Sequence, residues 1–310
     1  MLLYFFLFIS GFVRASSRQT IFSGLNTTKS QTDGEYVKES LVQIAQWANA
    51  AYCSEKLLFS WSCGTPCEVE GDHLEVKYYQ SNVLSGSALY LGIHEKTSSV
   101  VVSYRGTRNV MSFFNDLLAM KLDYRYKSGK VHSGFYRSYS RTSVGLIKFI
   151  RTLLADKKYG NYAIIVTGHS YGGALASFLA LELKLDDSIK HPVFLRTFEA
   201  PRVGDVEFTN FFTKTFFENT DLHLPVLRVT NHNDPVVRLP PTSFGFQHYP
   251  HEIWIVDDQV RLEQCQDLFS DPKDDHLCTE DPSCSVSKMP WNLKAHTQVW
   301  DINFAFSCKI

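Results

Sequence analysis

One stretch constrains this chain more than any other: Gly168-His169-Ser170-Tyr171-Gly172. An apolar run at residues 162–167 (YAIIVT) precedes it and reads as a short buried strand. Residues 173–184 (GALASFLALELK) follow, rich in small apolar residues and good helix formers, and read as a mostly buried helix. Strand, Gly-x-Ser-x-Gly and helix together make a nucleophile elbow. The turn is so tight that the backbone closes on itself on both sides of the serine, and Gly168 and Gly172, having no Cβ, permit that approach. The serine is pushed out over the end of the sheet. The N–H that follows it sits at a helix N-terminus, where a negative oxygen is stabilised. The bare pattern also occurs by chance in loops; the flanking strand and helix give it weight.

A chain of 310 residues has room for one large α/β domain or two small ones. Net charge is −1, which leaves no basic footprint for nucleic acid or an anionic membrane. Residues 2–13 (LLYFFLFISGFV) are almost wholly apolar and too short to span a bilayer comfortably. Val13-Arg14-Ala15 then places small residues at −3 and −1 of a cleavage site, so residues 1–15 read as a secretory signal peptide and the protein as extracellular. The start of this segment carries no Lys or Arg, and an uncleaved anchor is the alternative. Residues 16–34 are Ser-, Thr- and Gly-rich and read as a flexible segment or pro-segment; residues 35–310 are expected to form one domain. Asn26-Thr27-Thr28 is a glycosylation sequon. Seven cysteines fit an oxidising compartment. Cys63 with Cys67 could close one small loop, Cys278 with Cys284 another, and Cys53 with Cys308 would tie the first helix to the C-terminus. Spacing alone leaves the connectivity open, because Cys265 could replace Cys278 or Cys284.

Apolar residues recur with helical period over 35–53 and again over 134–156. Residues 74–80, 88–94 and 99–104 read as consecutive strands separated by turn residues. Residues 193–198, 226–230 and 252–257 are further strands, with a helix over 206–217 between the first two. This alternation predicts an α/β fold with a mostly parallel central sheet covered by helices on both faces. Residues 261–290, rich in Asp, Ser, Pro and Cys, read as a long disulfide-pinned loop.

A serine nucleophile needs a base, and the base needs an orienting acid. In the α/β-hydrolase order the acid and then the histidine follow the serine. Asp234 stands just past a strand end and before a proline, where a carboxylate is held fixed; Asp205, Asp221 and Asp257 are its rivals. Four histidines follow Asp234: His248, His251, His276 and His296. His296 is preferred because the apolar residues Val299, Trp300, Phe304 and Phe306 after it can anchor its loop. The second oxyanion donor is assigned to Thr107, after the strand in Tyr104-Arg105-Gly106-Thr107; Tyr171 supplies the first through its backbone. The cysteines lack zinc-finger spacing, so no metal or organic cofactor is implied.

With these residues together the chain resembles the class 3 lipases of the filamentous-fungal type, and looks closest to the yeast extracellular triacylglycerol lipases of that family. The resemblance runs from about residue 35 to the C-terminus. It rests on Tyr104-Arg105-Gly106-Thr107, Val131-His132-Ser133-Gly134-Phe135, the elbow through Gly173, Pro201-Arg202-Val203-Gly204, residues 228–234, and His296. It implies an α/β-hydrolase fold, Ser170, Asp234 and His296 as triad, and Thr107 with Tyr171 as oxyanion hole. The three cysteine pairs resemble the disulfides of the yeast lipases, though the Cys278 loop is variable in that family and its pairing stays open. Tyr171 departs from the family, where leucine is usual; a backbone donor tolerates this, though the acyl pocket changes shape. The family also suggests a lid at residues 108–120, where Val110, Met111, Phe113, Phe114, Leu117 and Leu118 could cover the serine and open at a lipid surface. The implied activity is hydrolysis of triacylglycerol esters through an acyl-enzyme by a monomer in transient contact with lipid. The alternatives are a feruloyl esterase or phospholipase on the same scaffold, or a non-catalytic lipid-binding protein.

Overall fold

The computed structural model describes residues 31–68, 73–108, 120–218, 220, 222, 224–256, 259–261, 285 and 289–308. Residues 1–15, read above as a signal peptide, residues 16–30 with Asn26, the six apolar residues from Val110 to Leu118 expected to form a lid, and Cys265, Cys278 and Cys284 lie outside them. The chain enters through α1 (Gln31–Ala50) and α2 (Glu55–Phe59), then lays down β1 (Glu75–Asn82), β2 (Ser87–His94) and β3 (Ser99–Tyr104) as an antiparallel meander. Two short strands, β4 (Lys121–Asp123) and β5 (Lys130–His132), lead into α3 (Ser133–Leu154). There follow β6 (Ala163–His169), α4 (Tyr171–Lys184), β7 (Val193–Phe198), β8 (Gly204–Asp205), α5 (Val206–Phe217) and β9 (Val226–Asn231). The last stretch holds β10 (Phe246–Gln247), β11 (Glu252–Val256), β12 (Gln259–Arg261), α6 (Leu293–Thr297) and the small hairpin β13 (Gln298–Val299) and β14 (Ile302–Asn303).

Among the described residues the main sheet has eight strands in the order β1-β2-β3-β6-β7-β9-β11-β12. β3, β6, β7, β9 and β11 are parallel, and antiparallel strands flank them at both ends. The parallel strands read as near-continuous apolar runs because both faces are covered. Alternate residues point to opposite sides. Val100, Val102, Ile164 and Val166 join the core under α3, α4 and α5, while Val101, Ile165 and Val229 join the core with α1 and the C-terminal hairpin. Residues 171–183 of α4 are all buried, since the helix is sandwiched between the sheet and α3. Each buried Leu or Phe there contributes about 1.5–3 kcal/mol. α3 is amphipathic instead, burying Phe135, Tyr139, Leu146 and Ile150. Among the described residues no helix is long and apolar enough to cross a membrane.

Two of the expected cysteine pairs are bonded, Cys53–Cys308 and Cys63–Cys67. The helix expected from residue 35 begins at Gln31.

Candidate active site

The turn after β6 is held in the strained geometry its glycines permit. Ser170 has φ 57° and ψ −128°, a region non-glycine residues seldom occupy. A Cβ on Gly168 would sit 2.5 Å from the Gly172 carbonyl carbon, and one on Gly172 would collide with the Tyr104 carbonyl oxygen. Ser170 N–H donates to Phe198 O at the end of β7 (2.8 Å), and Gly173 N–H donates to Ser170 O (2.9 Å). The elbow is thereby pinned between the C-terminal ends of β3 and β7, the edge of a parallel sheet where sites form.

Ser170, Asp234 and His296 meet there although they are far apart in sequence. His296 Nδ1 lies 2.8 Å from Asp234 Oδ2, and His296 Nε2 lies 2.8 Å from Ser170 Oγ. A carboxylate accepts, so Nδ1 carries the proton; Nε2 is then free to accept from the Ser170 hydroxyl. The second Asp234 oxygen accepts from Val236 N–H (2.8 Å), which fixes the carboxylate plane. All three residues are 0% exposed.

α6 has only five residues and cannot hold His296 in place by itself. Asn231, at the end of β9, reaches across it and donates to Ala295 O (3.1 Å) and Gln298 O (2.5 Å). His169 Nε2 lies 2.7 Å from His296 O, and because a carbonyl only accepts, Nε2 is the donor. His169 Nδ1 must then accept from Tyr52 O–H, 2.7 Å away. Phe304 stacks flat on the His169 ring with centroids 4.0 Å apart. Burial, then the nearby His296, hold His169 well below the usual histidine range, so it stays neutral. Phe304 was expected from sequence to anchor the loop of His296; Tyr52, His169 and Asn231 were not singled out for these roles. Their partners lie 64 to 127 residues away for the three that hydrogen-bond, which no local pattern reveals.

Tyr171 opens α4, with its ring edge-on to Phe135 (5.9 Å) and its hydroxyl on Ser85 O (3.3 Å). Thr107 follows Gly106, where an added Cβ would come within 2.6 Å of the His169 carbonyl oxygen. The loop after β3 is thus brought against the elbow. The rival groups are engaged elsewhere. Asp205 caps α5, accepting from Phe208 N–H and from Lys130 N–H (both 3.0 Å). His248 is buried against Val237 O (2.6 Å) and His251 against the Phe217 ring. Asp221, Asp257 and His276 lie outside the described residues. One more acidic group faces the triad: oxygens of Glu199 and Asp234 and a ring nitrogen of His296 lie within 4.8 Å of one another. Such a trio could hold a metal ion in principle, but His296 Nδ1 and Asp234 Oδ2 already engage each other.

Residues 101–244 match the family model of the class 3 lipases. The chain is 32% identical over 252 residues to a lipase of Rhizomucor miehei, covering 79% of this chain and 63% of that one. It is 31% identical over 221 residues to secreted mono- and diacylglycerol lipase 1 of Fusarium solani, covering 68% of this chain and 61% of that one. The chain therefore spans less than two thirds of the length of both relatives. A solved triacylglycerol lipase whose catalytic centre is described as a serine protease triad superposes with a TM-score of 0.74 at 26% identity, over 90% of this chain and 98% of that one. The sheet order, the elbow and these likenesses define an α/β-hydrolase fold. Within that fold the chain belongs to the class 3 lipases, the family of the fungal lipases.

Proposed function

We propose that this protein is a secreted serine lipase that hydrolyses acylglycerol esters, with Ser170 as nucleophile, His296 as base and Asp234 as its orienting acid. The observation that carries the reading is the pair of 2.8 Å contacts from His296, one to the Ser170 hydroxyl and one to the Asp234 carboxylate. Ser170 Oγ attacks the acyl carbonyl as its proton passes to His296 Nε2. The Thr107 and Tyr171 N–H groups take the oxyanion. His296 then protonates the departing alcohol and draws a proton from the water that releases the fatty acid. The relatives named as lipases and as mono- and diacylglycerol lipases support the ester class.

Ser170 and His296 are fully buried, so an ester reaches them only after the cover above them moves. Residues 110–118 have the apolar composition for such a lid. The chain is fastened on both sides of them: Arg108 donates to Tyr52 O (2.6 Å), and Ser133 N–H to Met120 O (2.8 Å). Exposed Met289, Trp291 and Leu293, just before His296 in the chain, supply further apolar surface for lipid contact. Secretion is supported by the N-terminal pattern, the sequon at Asn26, the two formed disulfides and a relative named as secreted.

The test is hydrolysis rate against concentration for tributyrin and triolein, carried through the solubility limit. A rise as emulsion forms, with triolein turned over, and a loss of at least about 10⁴-fold in Ser170→Ala, is the expected result. Saturation below the limit with triolein untouched would mean a soluble-ester esterase. Native turnover in Ser170→Ala would remove the triad assignment.

A further inference from the structure

Glu199 closes β7 at a place where the proposed triad does not call for an ionisable group. The residue before it, Phe198, accepts the Ser170 N–H. Glu199 N–H donates to Val229 O (2.9 Å), and its φ is 50°, a left-handed conformation that costs a glutamate far more than a glycine. Its side chain is buried at 0% exposure, and neither carboxyl oxygen makes a hydrogen bond of good geometry among the described residues, its polar neighbours being the Asp234 carboxyl and the Asn231 backbone. That carboxyl faces the triad, within 4.8 Å of both Asp234 and His296. A second bare carboxylate is not tolerated in such a place, whereas a carboxylic acid with an O–H to donate is. Burial, and then the neighbouring Asp234, push Glu199 well above the usual carboxylate range.

The other ionisable groups around the pair are accounted for. Glu252 on β11 is engaged by Arg228 (3.5 Å), Thr230 (2.5 Å) and Ser285. Arg238, behind Asp234, donates to Ser285 O (2.6 Å). His169 is held by Tyr52 and His296 O, and His296 itself by Asp234 and Ser170. Asp234 is the group left for Glu199 to meet.

We propose that Glu199 is a second acid behind the triad: it keeps one proton against Asp234 while Asp234 carries the charge that orients His296, and it takes over that charge when Asp234 cannot carry it. Glu199 is thus a positioning residue, and the proposal rests on the serine-hydrolase reading above. Like charges this close disfavour ionising both carboxyls, and burial with the Asp234 charge keeps the proton on Glu199. Replacing Asp234 by Asn removes the like charge that keeps Glu199 protonated; Glu199 then ionises within 4.8 Å of a ring nitrogen of His296.

Four proteins test this: native, Glu199→Gln, Asp234→Asn and the double variant. Each is followed by kcat/KM on a soluble p-nitrophenyl ester and by the rate of labelling with a serine-directed phosphonate. In a triad with one acid, Asp to Asn costs about 10⁴-fold. With Glu199 in reserve the Asp234→Asn loss is expected to stop near about 10²-fold, and Glu199→Gln to cost at least about tenfold more in that background than in the native one. Equal cost in both backgrounds, in folded proteins, overturns the proposal. Absence of labelling in the native protein would remove the hydrolase reading first, a distinguishable failure. A second readout needs neither activity nor Asp234→Asn. Glu199 has a raised folded-state pKa, so its share of stability is full below the unfolded value of 4.5 and is lost as pH rises. The Tm of Glu199→Gln should therefore gain at least about 3 °C on the native Tm between pH 4.5 and 8. Parallel curves would mean that Glu199 holds no extra proton, and would overturn the proposal as well.

Discussion

His169 stands between the glycine and the serine of the elbow, and its ring holds up the backbone of the histidine that faces the serine. Its N–H on His296 O, its acceptor nitrogen on Tyr52 and its face on Phe304 use the whole imidazole. His169→Phe keeps a flat ring for Phe304 but leaves the His296 carbonyl and the Tyr52 hydroxyl without this partner. We expect a loss of about 2–3 kcal/mol in urea unfolding and a fall of about tenfold in kcat as His296 loosens. The same variant reports the protonation state. A buried histidine with a lowered folded pKa gives stability that is full above the unfolded value of 6.5 and lost as pH falls. The stability gap between native and His169→Phe should therefore shrink by about 1.4 kcal/mol for each pH unit below 6.5. A gap that stays constant from pH 7.5 to 5 would show that His169 is not held neutral.

At the scale of elements, what could be read from sequence was what burial writes into local pattern. The strands Ser99–Tyr104 and Val193–Phe198 and the helix Val206–Phe217 fall where alternation and helical period put them. The central strands are covered on both sides, and the large helices show either a stripe or an unbroken apolar run. The elbow was legible because its chemistry depends on two glycines in one tight turn. α6 and the β13–β14 hairpin were not, since segments of two to five residues owe their shape to distant partners such as Asn231 and His169. Glu199 left a trace: a lone acid ending an apolar strand, at the sheet edge where sites form. The choice of acid was open in sequence, and α5 supplies a test of it. Asp205 caps that helix and also accepts from Lys130 N–H, so Asp205→Ala should cost about 1–3 kcal/mol of stability. Because Asp205 caps a helix and makes no contact with His296, kcat/KM on a soluble ester should stay within about twofold of native. A loss approaching that of an Asp234 variant would reopen the assignment of the triad acid.

Across the whole molecule, the two ends of the described chain clamp the site from behind. α1 ends beside Tyr52, which bonds His169; the C-terminal tail carries His296 and then Phe304, which stacks on the same ring. Cys53 and Cys308 join these two arms directly, across 255 residues of sequence. Closing so long a loop removes about 5 kcal/mol of unfolded-state freedom in the chain-entropy model, of which about 2–5 is commonly realised. Cys53→Ser with Cys308→Ser should therefore lower Tm by about 5–15 °C. The effect should not be confined to global stability. Without the tie, the tail frays from α1 at temperatures where the sheet is still folded, and the Phe304 and His169 contacts go with it. Esterase activity of the double variant should then fall at a lower temperature than its far-ultraviolet dichroism, whereas the two losses coincide in the native protein. A Tm unchanged within about 1 °C, or activity and dichroism still lost together in the variant, would show that the tail is held by its apolar contacts alone.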